Sequence, residues 1–205
     1  MLFLGVVETI NKLISIGKDA ADNTAKSFSG LTGENADIHF TGLRFVPVEF
    51  IPEQFTDETC KVVRINFDGI LSGTSVLMIN EEDSVKLEKL LLLDMIWDGL
   101  INRTELPEYS EIEESVINEV ANVVLASFLN VFANALKDEI NITTPEFTKN
   151  TGFNIVESLV LEMADKGINN ALVFDNTIDI VGRFPVRSNI FILIDPEKLE
   201  NLERL

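Results

Sequence analysis

The sequence predicts an α+β fold built by internal duplication, and three observations predict it. Two long stretches, 6–28 and 111–137, carry apolar residues at a helical period. Each is followed by one short and two longer strand-like runs and then by a further helix. The two halves also end alike. LMINEEDSVKLEKLL at 77–91 resembles ILIDPEKLENLERL at 192–205, with Leu87 matched to Leu202 and Leu90 to Leu205 at a constant offset of 115. That period is longer than a solenoid repeat and indicates one domain, 1–205, made of two pseudo-symmetric halves at about 6–100 and 111–205. Antiparallel strands with the helices gathered on one face follow from this order.

In the first helix, 6–28, Ile10, Leu13, Ile14, Gly17, Ala20, Ala21 and Thr24 set the period. Its small central residues are expected to admit a neighbouring helix, and Gly30 and Gly33 to end it. A strand is predicted near 36–43. FVPVEFIPEQF, with Pro47 and Pro52, reads as irregular or edge structure. Strands follow at about 60–70 and 73–80, then a helix over 81–100 whose acidic first turn suits the helix dipole. NRTELPEYS at 102–110 reads as a linker. After the second long helix come a short strand near 140–147 broken by Pro145, and an amphipathic helix at 154–166 through Ile155, Leu159, Val160 and Met163. Two more strands and a closing helix, PEKLENLERL, complete the chain.

Composition excludes several functions. Of 205 residues, 46% are hydrophobic, enough for a substantial core. Asp and Glu number 34 against 16 Lys and Arg, a formal charge of −18. Such a chain repels phosphate backbones and anionic membranes, so nucleic acid is not an expected partner. No apolar run approaches the roughly 20 residues that span a bilayer, and no membrane insertion is expected. MLFLGVVE is short, lacks a basic segment and runs into Glu8, so it does not read as a signal peptide. Cys60 is the single cysteine, which fits a cytoplasmic location. His39, the single histidine, reads as an ordinary strand residue, with neither a catalytic triad nor a metal site near it in sequence. There is no P-loop, GxGxxG or CxxC pattern.

The functional lead lies on the second long helix. Val116, Val120, Val123, Val124, Ser127 and Val131 cluster on one side. Ser115, Glu119 and Asn122 stand at i, i+4 and i+7, within an arc of about 60° at the edge of that side. Taken alone, such a row is the solvated shoulder of a core helix.

This row, with Pro145 a little over twenty residues on, resembles the signature of the CheC/CheX/FliY phosphatases of chemotaxis, and most closely that of CheC. In that family an Asp or Ser precedes a Glu by four residues, an Asn follows it by three, and a Pro comes later. The resemblance implies two halves with their long helices side by side on one face of an antiparallel sheet. It implies hydrolysis of the aspartyl phosphate of the response regulator CheY, with Asn122 orienting the attacking water and Glu119 engaging the regulator's active site. Ser115 and Pro145 would support the motif. In the first half, Ile16 and Gly17 match the family's stretch and place Glu8, Lys12 and Ser15 where Ser115, Glu119 and Asn122 stand, with no Pro at 38–42. That copy is expected to be inactive. No cofactor or metal is expected on this chain, because the Mg2+ would belong to the phosphorylated partner. The receptor deamidase CheD is a further candidate partner. A non-catalytic adaptor of the chemotaxis or flagellar switch system is the alternative, and an uncharacterised sensory protein sharing only the fold is a third.

Overall fold

A computed structural model describes residues 2–97, 109–181 and 185–195. The first helix, α1 (Leu2–Thr32), outruns its predicted limits at both ends. Gly30 is still helical. The stop falls at Gly33, whose φ of 66° is left-handed and whose N–H donates to Ser29 O at 2.9 Å. Strand β1 (Asn35–Pro47) extends past the predicted 36–43 and takes in Phe45 to Pro47. Its edge position tolerates the proline, and only the remainder of that stretch is irregular, as two 3-10 turns at Val48–Phe50 and Pro52–Gln54.

Strands β2 (Thr59–Gly69) and β3 (Gly73–Asn80) fall where expected. Helix α2 (Glu81–Trp97) starts at a reciprocal cap: Asp83 N–H donates to Asn80 Oδ1 at 2.7 Å, and Asn80 Nδ2 donates to Asp83 Oδ2 at 2.9 Å. The second long helix, α3 (Tyr109–Leu136), begins inside the predicted linker. The rest of that linker, like the predicted closing helix 196–205, lies outside the described residues. Pro145 separates β4 (Ile140–Ile142) from β5 (Glu146–Thr151). Helix α4 (Gly152–Asp165), β6 (Asn170–Val181) and β7 (Val186–Ile194) follow.

All seven strands form one sheet in the order β1-β6-β7-β3-β2-β4, with β5 also paired to β2, and every pairing is antiparallel. Early and late strands therefore alternate across the sheet rather than forming separate units. At its centre Val76 of β3 lies opposite Phe191 of β7.

The central strands are apolar on both faces. Val63, Ile65, Leu77, Ile79, Phe174, Ile178, Ile190 and Ile192 belong to one core with residues of α1, α2 and α3. Cys60, Val62, Val76, Met78, Val173 and Leu193 belong to a second core with Ile155, Val156, Leu159, Val160 and Met163 of α4. This corrects the expectation that all helices gather on one face. A sheet greasy on both sides needs cover on both sides, and α4 with the 3-10 turns supplies the second cover. Arg64 ties that cover down: its Nη1 donates to Glu162 Oε1 on α4 at 2.7 Å. The weak alternation of CKVVRINFDGIL has the same origin, since β2 is buried on both sides.

Helices α1 and α3 pack against each other over the first face. One small residue has a different role from the one expected. A Cβ on Gly17 would lie 3.0 Å from Phe40 and 3.1 Å from Phe174, so Gly17 makes room for sheet rings rather than for α3. Helix α3 from Ile112 to Leu136 is long and apolar enough to cross a membrane, contrary to the reading of its sequence. Ile117, Ala121, Val124, Leu125, Phe128 and Phe132 are buried in the first core, which accounts for that apolarity.

Gly17→Val should therefore lose about 1–3 kcal/mol of stability by overpacking Phe40 and Phe174, measured by denaturant unfolding. Gly30→Ala, where nothing lies within 4 Å of an added Cβ, should instead be neutral or gain up to about 1 kcal/mol. Burial pushes the Cys60 thiol up to about 11. Iodoacetamide at pH 8 should therefore leave Cys60 unlabelled in the folded protein and label it once the chain is unfolded by urea.

Candidate functional site

Ser115, Glu119 and Asn122 are all exposed on α3. The residues between them decide this. Val116, Ile117, Val120, Ala121 and Val124 are all buried, so the helix is fixed with these five turned inward. A helix turns by about 100° per residue, which leaves positions 115, 119 and 122 on the outward arc. The buried surface is broader than the valine cluster suggested. Ile117, Ala121, Leu125, Phe128 and Phe132 are the more deeply buried, while Val123, Ser127 and Val131 are only half-buried.

The side chains of Glu119 and Asn122 make no hydrogen bond or ion pair with any described residue. A carboxylate and a carboxamide one helical turn apart are thus presented to solvent with their bonding capacity free. The carboxamide offers an acceptor oxygen and two N–H donors, and the carboxylate offers acceptors only.

Pro145 is half-buried in the connector between β4 and β5. That connector is stitched to β2: Thr143 N–H donates to Asn66 O at 2.9 Å, and Asn66 N–H donates to Thr143 Oγ1 at 3.1 Å. Both flanking strands pack against α3. Proline closes the chain to further pairing at that point by removing a donor.

On α1, Glu8, Lys12 and Ser15 are likewise exposed. The first-half row therefore faces outward from the helix beside α3, with a cation at its middle position.

The residues expected to play no part lie elsewhere. His39 sits on β1 opposite Thr177, its Nε2 3.9 Å from Asp179 Oδ2. Cys60 is buried in the second core, where its thiol donates to Asn150 O at 3.5 Å. Among the described residues, no group of three or more His, Cys, Asp or Glu side chains is arranged to hold a metal ion. A cavity of about 520 Å3 at the far end of β2 is lined by Asn66, Thr74, Thr143 and Lys166 among others and includes none of the row. The row is a helix surface rather than a cleft.

One arrangement escaped the sequence reading. Lys61 of β2 is fully buried, and its Nζ lies 2.7 Å from Glu88 Oε1 of α2 and also contacts Glu113 Oε1 of α3. Two signals could have found it: a lysine inside the apolar run CKVV, and a glutamate inside the leucine-rich LEKLLLL.

Residues 112–148, which span the α3 row and Pro145, match the model of the CheC-like family. The chain is 24% identical over 176 residues to CheC1 of Halobacterium salinarum, whose name provisionally assigns it as a CheY-P phosphatase. That match covers 85% of this chain and 83% of the relative. The fold is similar to that of FliY from Thermotoga maritima, with a TM-score of 0.72, 20% identity and 96% of each chain covered. It is also similar to CheX from Borrelia burgdorferi, solved in a complex with CheY, BeF3 and Mg2+, with a TM-score of 0.52, 17% identity and coverage of 88% and 96%. Sequence and fold are together consistent with the CheC/CheX/FliY family of chemotaxis proteins.

Proposed function

We propose that this chain is a cytoplasmic phosphatase that hydrolyses the aspartyl phosphate of a CheY-type response regulator through Glu119 and Asn122. The observation that carries this reading is their joint exposure on α3 without a hydrogen-bond or ion-pair partner among the described residues. Water attacks phosphorus in line, the bond to the aspartyl oxygen breaks, and the products are the regulator's carboxylate and inorganic phosphate. An acyl phosphate is already activated, and the regulator brings its own Mg2+ and basic group. What it lacks is an oriented water.

Asn122 fills that need. Its carboxamide oxygen accepts a hydrogen bond from the water, which leaves a lone pair of the water directed at phosphorus, while its NH2 remains free to donate. Glu119 meets the regulator's basic active-site residue. Docking desolvates that pair in part, which strengthens the attraction and adds a desolvation cost. Ser115 adds a hydrogen-bonding group at the margin, and Pro145 shapes the strand beside α3. A 100-fold acceleration requires only about 2.7 kcal/mol, within reach of water positioning.

We take the first half to be a degenerate copy of the same site. The sheet order supports duplication, since β1-β6-β7 on one side of the junction of β7 with β3 is matched on the other by β4 and β5, β2 and β3. Val76 and Phe191, opposite one another there, are 115 residues apart, the offset that also relates Leu87 to Leu202. In the α1 row Lys12 would repel the basic group that Glu119 attracts, and Ser15 is too short to replace a carboxamide.

The test is the decay of phosphorylated CheY-type regulator with and without this protein. Asn122→Ala should remove most of the acceleration, about 100-fold, and Glu119→Ala should weaken it mainly through binding, each with an unchanged melting temperature. Lys12→Ala and Ser15→Ala should stay within about twofold of wild type. Wild-type hydrolysis by Asn122→Ala would overturn the water-orienting role. Capture of CheD or of a flagellar switch component with no acceleration of hydrolysis would establish the adaptor reading instead.

A further inference from the structure

We propose that Lys61 is a positioning residue for the α3 row: its ammonium, held between Glu88 of α2 and Glu113 of α3, fixes the direction in which Glu119 and Asn122 are presented. The proposal rests on the phosphatase reading above and adds a buried group outside the α3 row.

The trio is placed to act this way. Lys61 is 0% exposed, Glu88 1% and Glu113 18%. An ammonium carries three N–H donors, and two of its contacts here are carboxylates on different helices. One buried point on β2 thereby pins α2 and α3 at once. The surrounding charges extend the same junction to β5, where Lys149 Nζ lies 2.5 Å from Glu81 Oε1 at the start of α2. The hydrogen bond to Glu81 raises the Lys149 ammonium above its ordinary value, and the charges of Glu113 and Glu88 add to it.

Helix geometry turns this pin into an orientation. Glu113 precedes Asn122 by nine residues, a rotation of about 900°, so the two side chains leave α3 on opposite sides. Glu113 reaches inward to Lys61 while Asn122 points out. The apolar contacts of α3 with the sheet are non-directional and survive a small roll or slide of the helix. An ion pair at hydrogen-bond distance does not. A roll of about 20° would displace a side-chain end at a radius of about 5–6 Å by about 2 Å. A misplacement of about 1 Å can cost about 100-fold in rate. Stability alone does not call for the trio, because well-packed apolar residues replace buried ion pairs without loss in many proteins.

The experiment separates orientation from stability. Lys61→Met/Glu88→Leu/Glu113→Leu removes the buried cation together with both of its carboxylates, and the melting temperature should match or exceed that of wild type. Hydrolysis at saturating phosphorylated regulator should nevertheless fall about tenfold or more, with KM little changed. A spin label on Glu119→Cys, measured against one on Lys26→Cys of α1, should give a broader or shifted distance distribution in the triple variant than in the wild-type background. Glu113→Asp keeps every charge, shortens the pin by one methylene, and should change rate and distribution in the same sense. A folded triple variant, or a folded Glu113→Asp, with wild-type rate and unchanged distance distribution would overturn the proposal. If wild type itself does not accelerate hydrolysis, the phosphatase reading fails, and the spin-label distances alone decide the positioning.

Discussion

A sheet whose central strands are apolar on both faces has to be covered twice, and the rest of the molecule follows from that constraint. Helices α1, α2 and α3 close one side, while α4 and two short turns close the other. Two helices of 31 and 28 residues then share a single face. Lying side by side on it, each has its sheet-facing side and one flank engaged, and only an outward stripe remains for polar residues. The rows Glu8/Lys12/Ser15 and Ser115/Glu119/Asn122 are those stripes. Their exposure is a consequence of packing, and it needs no loop, lid or cleft to produce it.

Much of this was legible because it is periodic. The helical spacing in α3 sets that element's type and places residues 115, 119 and 122 at its shoulder, away from the apolar side. The failures were of two kinds. Boundaries were missed where tertiary contacts overrode local signals: Gly30 stays helical, Phe45 to Pro47 pair with β6, and Tyr109 and Ser110 join α3. Side chains were misjudged where one residue answers to a distant one. Gly17 was read as a helix–helix contact but serves Phe40 and Phe174, which come from β1 and β6. The placement of α4 was missed because a strand buried on both faces looks, in sequence, like one with a poor alternation. Lys61 was missed for a related reason. A lysine in a strand normally marks a solvent-facing position, and only the meeting of β2 with α2 and α3 supplies its two carboxylates.

The charge distribution separates two uses of acidity. Among the described residues most Asp and Glu side chains are exposed, where they give solubility and a long-range attraction for basic surfaces. Glu88 and Glu113 are different, being withdrawn from water against a buried cation. Desolvation makes such a cluster costly, so stability alone does not account for it, and the positioning role proposed above gives it a use. Under the proposed phosphatase reading, reacting groups carried on a helix surface have a use for such geometry.

The chemistry proposed for α3 asks little of this chain. Hydrolysis of a phosphate monoester would demand a nucleophile or a resident metal to overcome a very high barrier. An acyl phosphate bound with its own Mg2+ and basic residue has met most of that demand within the partner. The remaining requirement is that one water, one carboxamide and one carboxylate coincide with the partner's phosphate when two surfaces meet. That task favours a rigid outward row over a cavity. It also makes the difference between the two helices decisive. Lys12 and Ser15 occupy as exposed a stripe as Glu119 and Asn122. Because both rows are exposed but carry opposite charge at the middle position, the proposed difference between them rests on the side chains themselves.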